Sequence, residues 1–179
     1  MHKETSKVKI VKLPISDWKD FKEMRLAALK EEPQAFGSSY AKEAAYPDSM
    51  WQERLREGEN KKGIYLFAKL EGKMIGMVMG GRTDEDQQAG LAHVWGTYVD
   101  LKARGKGVGK ELMQRVIEEI GKDMDVQKIL VGVNAEQKPA IKLYESFGFK
   151  QIKTMLMKMG DGSEHQELEM EKKVWVNRS

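Results

Sequence analysis

The stretch from Leu91 to Val133 limits the fold more than any other part of the chain. Leu91 to Val99 reads as a strand, residues 100–107 as a glycine-rich loop, residues 107–121 as a helix, and Lys128 to Val133 as another strand. On the helix Val108, Leu112, Val116 and Ile120 recur at every fourth position, with Met113 and Ile117 beside them. Lys110, Glu111, Gln114, Arg115, Glu118 and Glu119 take the other side. A strand, an amphipathic helix and a strand form a βαβ crossover, normally right-handed with its strands parallel.

The loop of this unit reads Arg104-Gly105-Lys106-Gly107-Val108-Gly109. Backbone N–H groups at a helix start point outward unpaired, the helix dipole favours negative charge there, and glycines let phosphate oxygens approach closely. Lys102, Arg104 and Lys106 add positive charge. Two nucleotide motifs fail on this loop. A P-loop needs Ser or Thr after Gly109-Lys110, where Glu111 stands, and a first glycine where Arg104 stands. A Rossmann fingerprint needs glycine at position 110, which is Lys, in an opening βαβ unit. A plain strand–helix connector is the alternative to an anion cradle.

The rest of the chain surrounds this unit with strands and helices. Val8 to Leu13 is expected to be a strand ended by Pro14, and Ser16 or Asp17 can cap a helix running to about Glu32. Residues 33–50 read as a loop with short helical pieces, and Trp51 to Arg56 as a short helix. Ile64 to Leu70 and Lys73 to Gly80 form a hairpin around Glu71-Gly72, followed by a polar loop from Thr83 to Gly90. A second helix is expected from Lys138 to Phe147, with Pro139 in its first turn and Gly148 closing it. Phe149 to Met159 and His165 to Val176 make a long hairpin around residues 160–163. No linker or repeat interrupts residues 1–179, which read as a single domain.

Composition removes several function classes. The chain has no cysteine, which excludes disulfides, cysteine metal sites and a thiol nucleophile, and its three histidines are scattered, so no metal is expected. A formal net charge of +3, with both signs interspersed, is too weak to argue for nucleic acid. The longest apolar stretch, Met74 to Gly81, cannot span a bilayer, and the first residues lack a signal-peptide core. A cytoplasmic location is the expectation.

The segment Tyr98 to Met113, with Arg104, Gly107 and Gly109 in the pattern Arg-x-x-Gly-x-Gly, resembles the cofactor motif of the GNAT superfamily of N-acetyltransferases. Pro139 to Phe149, with Tyr144, is similar to that family's late helix and following strand, at matching distance. The resemblance implies an α/β fold in the α+β sense, a mixed sheet flanked by helices and splayed between the strands at 91–99 and 128–133. It implies acetyl-CoA as cosubstrate, its pantetheine arm pairing with backbone at Val99 and Leu101, and its pyrophosphate on the amides from Arg104 through Gly105, Lys106, Gly107, Val108 and Gly109 towards Lys110. Gly107 and Gly109 would be small to leave phosphate space. Ala140 belongs to the same late-helix block. The family's Asn before that helix is replaced by Gln137, and Asn134 can share its contact.

The implied reaction moves an acetyl group directly to an amine of a small molecule or peptide. A non-catalytic acyl-CoA sensor on the same fold, and a phosphate- or nucleotide-binding module of another fold, are the alternatives. By resemblance Tyr144 is the acid that protonates the leaving thiolate, and from periodicity alone it is a core tyrosine beside Leu143 and Phe147. The N–H of Val99 would polarise the carbonyl. His93, on the strand parity of Trp95 and Thr97, is a base candidate or a structural histidine; Glu85 and Asp86 are weaker candidates. Phe36, Ser38, Ser39, Tyr40, Trp95 and Thr97 are acceptor-wall candidates, Phe36 and Tyr40 alternatively packing the loop itself. A sheet edge, or the stripe Met155, Met157 and Met159, offers a surface for a homodimer.

Overall fold

The computed structural model describes residues 7–59 and 63–174. Its sheet has seven strands: β1 (Lys9–Val11), β2 (Gly63–Leu70), β3 (Lys73–Gly81), β4 (Leu91–Val99), β5 (Lys128–Asn134), β6 (Lys150–Lys158) and β7 (Glu164–Lys173). They stand in the order β1-β2-β3-β4-β5-β7-β6, all neighbours antiparallel except β4 and β5. Helices α1 (Trp18–Glu31), α2 (Tyr40–Ala44), α3 (Asp48–Glu59), α4 (Asp84–Ala89), α5 (Val108–Ile120) and α6 (Lys138–Ser146) complete the fold. The mixed, helix-flanked sheet is the architecture that the family resemblance implies.

Two cores form on the two sheet faces. On one, Val108, Leu112, Met113, Val116 and Ile120 of α5 meet Leu66, Val78, Val94, Ile129 and Val131. On the other, Phe21, Met24, Ala28 and Leu29 of α1 and Trp51 and Leu55 of α3 meet Phe67, Met77, Met79 and Tyr98. Both α1 and α5 therefore place one apolar stripe against the sheet, as their periodicity predicts.

Several local readings are corrected. Thr83 to Gly90 is not a loop: Thr83 and Asp86 form a reciprocal capping box, which starts α4 despite its polar sequence. The short helix expected at 51–56 extends over Asp48–Glu59, because Trp51 and Leu55 bury a longer face. Ile15–Asp17 is a 3-10 turn, and neither Ser16 nor Asp17 caps α1 with its side chain. Of the methionine stripe only Met159 is buried; Met155 is half-buried and Met157 exposed, because β6 is the sheet edge. The tail of the predicted last strand, residues 175–176, lies outside the described residues.

Two irregularities in β4 position the site. First, β4 pairs with β5 only from Leu91↔Lys128 to Val94↔Val131, although both strands run further. Beyond that point they part, and the sheet opens. Second, the β3–β4 register shifts between Met77↔Tyr98 and Met79↔Trp95, so β4 carries an extra residue. Gly96 supplies the bulge with φ +64°, a left-handed conformation that favours glycine. A bulge reverses the facing of all that follows. Val94 faces the α5 core, yet Tyr98, of the same parity, faces the α1 core.

Candidate active site

The opening between β4 and β5 leads into a groove of about 560 Å³ that runs to the glycine loop. Thr97, Val99, Arg104, Gly105, Gly107, Val108, Gly109, Gln137 and Ala140, all named from the sequence, line it. At its end Gly107 precedes α5 with φ +82°, which turns the chain so that the first-turn N–H groups face the groove. A Cβ added at Gly105 or Gly107 would meet no protein atom within 4 Å. The glycine loop is therefore open on its groove side, with room for an anion at the helix start. At Gly109, which also lines the groove, a Cβ would approach Leu143 Cδ2 at 3.3 Å, so α5 and α6 meet over it.

The charges are arranged differently from the expectation. Arg104 does not reach freely into the cradle. Its Nε donates to the Val99 carbonyl at 2.9 Å, and its two terminal nitrogens donate to Glu32 at 3.1 and 2.8 Å. Lys106 Nζ donates to the Lys102 carbonyl at 3.0 Å. Anion attraction thus falls mainly to the backbone N–H groups and the helix dipole. Leu101 is exposed and, like Lys106 and Lys110, lies outside the groove lining. Asn134 is buried and already committed: its amide donates to the Gln34 carbonyl at 3.0 Å and its oxygen accepts from the Glu136 N–H at 2.9 Å. It ties β5 to the segment after α1 rather than lining the groove.

Tyr144 lies behind the groove wall, 5% exposed, with its ring 6.1 Å from that of Phe149. It is a core residue and also the neighbour of Thr97. Burial pushes the phenol upward, while the Thr97 hydroxyl opposes that shift. The bulge turns Thr97 away from the face of His93 and Trp95 towards Tyr144. Thr97 Oγ1 is buried without a completed hydrogen bond. A protonated phenol therefore stands one side chain from the groove.

The other candidates spread over the opposite face. His93 lies in the paired part of β4, where its Nε2 meets Asp86 Oδ1 at 3.0 Å. Burial opposes ionisation of Asp86, but bonds from Thr83, then His93, hold its carboxyl below the usual range. Phe36 is buried; the Arg25 guanidinium covers its ring at 4.8 Å, and its carbonyl accepts from Gly160 N–H at 2.7 Å. Phe36 thus fixes the loop rather than forming a wall. The Ser38 hydroxyl is buried, Ser39 caps α2, and Tyr40 and Trp95 are exposed. Glu85, on α4, is exposed.

Sequence reasoning did not assign Glu32, Gln34, Tyr98, Ala103, Glu136, Pro139 and Leu143 to the site, and these complete the groove. Tyr98 donates to Glu31, so the end of α1 is bolted to β4. The partners Glu32 and Arg104 stand 72 residues apart, and nothing in the sequence links them. Among the described residues no helix is long and apolar enough to cross a membrane, and no group of three or more His, Cys, Asp or Glu is arranged to hold a metal ion.

Comparison with known proteins places this geometry. A family profile described as "Acetyltransferase (GNAT) family" matches residues 24–149. An L-amino acid N-acetyltransferase of Escherichia coli is 33% identical over 105 residues, 58% of this chain and 62% of the relative. A spermine/spermidine N(1)-acetyltransferase of Bacillus subtilis is 29% identical over 91 residues, 49% of this chain and 57% of the relative. The chain thus spans less than two thirds of the length of these relatives. Among solved structures, a GNAT-family acetyltransferase of Streptococcus pneumoniae superposes with a TM-score of 0.81 at 16% identity, over 94% of this chain and all of the other. A Salmonella typhimurium structure holding its cofactor acetyl-CoA gives 0.79 at 18% identity, over 97% and 98% of the two chains.

Proposed function

Because this chain belongs to the acetyltransferase (GNAT) family, we propose that it transfers the acetyl group of acetyl-CoA to a primary amine of a small molecule or peptide. The observation that carries this reading is the continuity of one groove from the opening between β4 and β5 to the N-terminus of α5. A β-strand-like arm can enter such an opening, and a pyrophosphate can end on the cradle beyond it. The two relatives act, by their names, on an amino acid and on polyamines, and both present primary amines.

Each residue then has a task. Val99 lies beyond the last β4–β5 pair, so its backbone N–H can align the thioester arm and polarise the carbonyl. Gly105, Gly107 and the first-turn amides of α5 hold the pyrophosphate. Gln137 and Ala140 of the α6 start border the arm. Tyr144, kept protonated by burial, passes a proton to the departing sulfur, with Thr97 orienting its hydroxyl. Arg104 acts through Val99 and Glu32, setting the width of the groove mouth.

Calorimetric titration with acetyl-CoA and with ATP tests the cofactor, and thiol release across amine classes tests the reaction. Saturable acetyl-CoA binding with amine-dependent thiol release is expected. Binding without release from any amine would leave a sensor, and preference for ATP would defeat the acyl-CoA assignment.

A further inference from the structure

We propose that Glu167 is the general base that takes a proton from the acceptor amine, a role that rests on the acetyltransfer reading above. The placement is tertiary. Glu167 lies on β7, opposite Asn134 of β5 and Met155 of β6. Its side chain slants across β5 onto Gly132: a Cβ built on Gly132 would lie 2.9 Å from Glu167 Cδ and collide with the carboxylate. Gly132 is the first β5 residue beyond the last β4 pair, Val94↔Val131. The carboxylate therefore stands at the throat of the opening, and the missing side chain of Gly132 is what admits it.

The face is also the right one. His93 pairs in register with Leu130, so Trp95 and Gly132, two residues on, share one face of the sheet. This face is bordered by the segment after α1, through the bond from Asn134 to the Gln34 carbonyl. An amine approaching beside the exposed indole of Trp95 meets Glu167 before it meets the thioester entering from the far side.

The surroundings suit a base. Among the described residues no side-chain hydrogen bond or ion pair holds the Glu167 carboxylate. On β7 its neighbours on the same face are Glu169 and His165, and the latter is engaged by Asp161 at 2.7 Å. Lys153 of β6 stands opposite Glu169, and Lys128 of β5 pairs with Glu171 at 3.0 Å. Arg25 of α1, near Gly96, is held by Glu43. Burial, and then the charge of Glu169, raise the Glu167 carboxyl above the ordinary glutamate range. This brings it closer to the working range of a base. His93, tied to Asp86 in the paired part of β4, has no comparable access.

In the step itself an ammonium passes one proton to the Glu167 carboxylate. The neutral nitrogen attacks the thioester carbonyl carbon, a C–N bond forms and the C–S bond breaks. The second nitrogen proton neutralises the leaving thiolate by way of Tyr144, and Glu167 returns its proton to solvent. The products are the amide, the free thiol and one proton.

The test uses the full chain with an acceptor found by thiol release, and compares kcat/KM of Glu167→Gln and Glu167→Asp with the original enzyme from about pH 5.5 to about pH 9.5. At neutral pH Glu167→Gln should lose roughly 10²–10⁴-fold, with acetyl-CoA affinity retained as proof of folding. Its loss should shrink at high pH, where the amine deprotonates unaided, and Glu167→Asp should fall between. A Glu167→Gln enzyme with unchanged rate and pH profile overturns the base and leaves the acetyltransferase standing. Acetyl-CoA binding with no thiol release from any amine by the unsubstituted chain overturns the transfer reading and the base with it.

Discussion

The two sides of the opening are built in opposite ways. The cofactor side is nearly continuous in sequence: β4, the glycine loop, α5, β5 and α6 follow one another from Leu91 to Ser146. The side proposed for the acceptor joins the segment after α1 to β5 and to the turn between β6 and β7, through Asn134 to Gln34 and Gly160 to Phe36. Its base rests on α1–α2 ion pairs: Arg25 donates to Glu43 at 3.0 and 2.7 Å, and Arg54 joins the same carboxylate at 3.2 Å. One side is thus held by local backbone geometry, the other by long-range bonds between distant segments. Local geometry can be spelled by a short motif, whereas long-range bonds leave the acceptor side free to vary.

If the two sides are separable, substitutions should divide cleanly between them, except at Tyr144, whose proposed proton transfer completes the reaction between them. Tyr144→Phe is expected to lower turnover roughly 10²–10⁴-fold, with acetyl-CoA affinity nearly unchanged, as read by steady-state kinetics and calorimetry. Unchanged turnover would return Tyr144 to the core alone.

Glu43→Gln is expected to cost about 3–5 kcal/mol of stability at neutral pH, because it leaves two guanidinium groups around a buried site without a counter-charge. Burial by itself would raise Glu43, but the bonds and charges of Arg25, then Arg54, outweigh it and lower the carboxyl below 4.5. A folded value below the unfolded one means the contribution is complete above 4.5 and is lost as pH falls through the folded value. Denaturant titrations should therefore show the gap between Glu43→Gln and the original chain closing in acid.

Gly107→Ala should confine its damage to the cofactor side. A side chain at φ +82° costs about 1–3 kcal/mol, visible as weaker acetyl-CoA binding and a lower melting temperature. An acceptor KM that moved with it would show the two sides to be coupled.

The smallest effect is expected at Glu32→Gln. The partly exposed pair with Arg104 is worth no more than about 1 kcal/mol. Releasing Arg104 beside the cradle should tighten acetyl-CoA binding by less than about fivefold, with the melting temperature lowered by no more than about 4 °C.

How much was legible follows the same division. The βαβ unit, the glycine turn and the α6 block were readable because each is fixed by periodicity or turn chemistry within a few residues. The polar Thr83 to Gly90 stretch was misread because a Thr-x-x-Asp box can start a helix that has no apolar face. The bulge at Gly96 was missed because one glycine in a strand does not say which way the following residues turn. That single residue moved Thr97 from the face of His93 to the side of Tyr144.

The sequence by itself determined the glycine turn before α5, the parallel crossover and the place of Tyr144 on α6, since these depend on residues that are neighbours along the chain. Tertiary structure alone decided where β4 and β5 part, that Arg104 is held by Glu32, and that Glu167 fills the space above Gly132. The physical reason is distance along the chain. Glu167 follows Gly132 by 35 positions in the sequence, and only the pairing of β5 with β7 brings the carboxylate over the glycine.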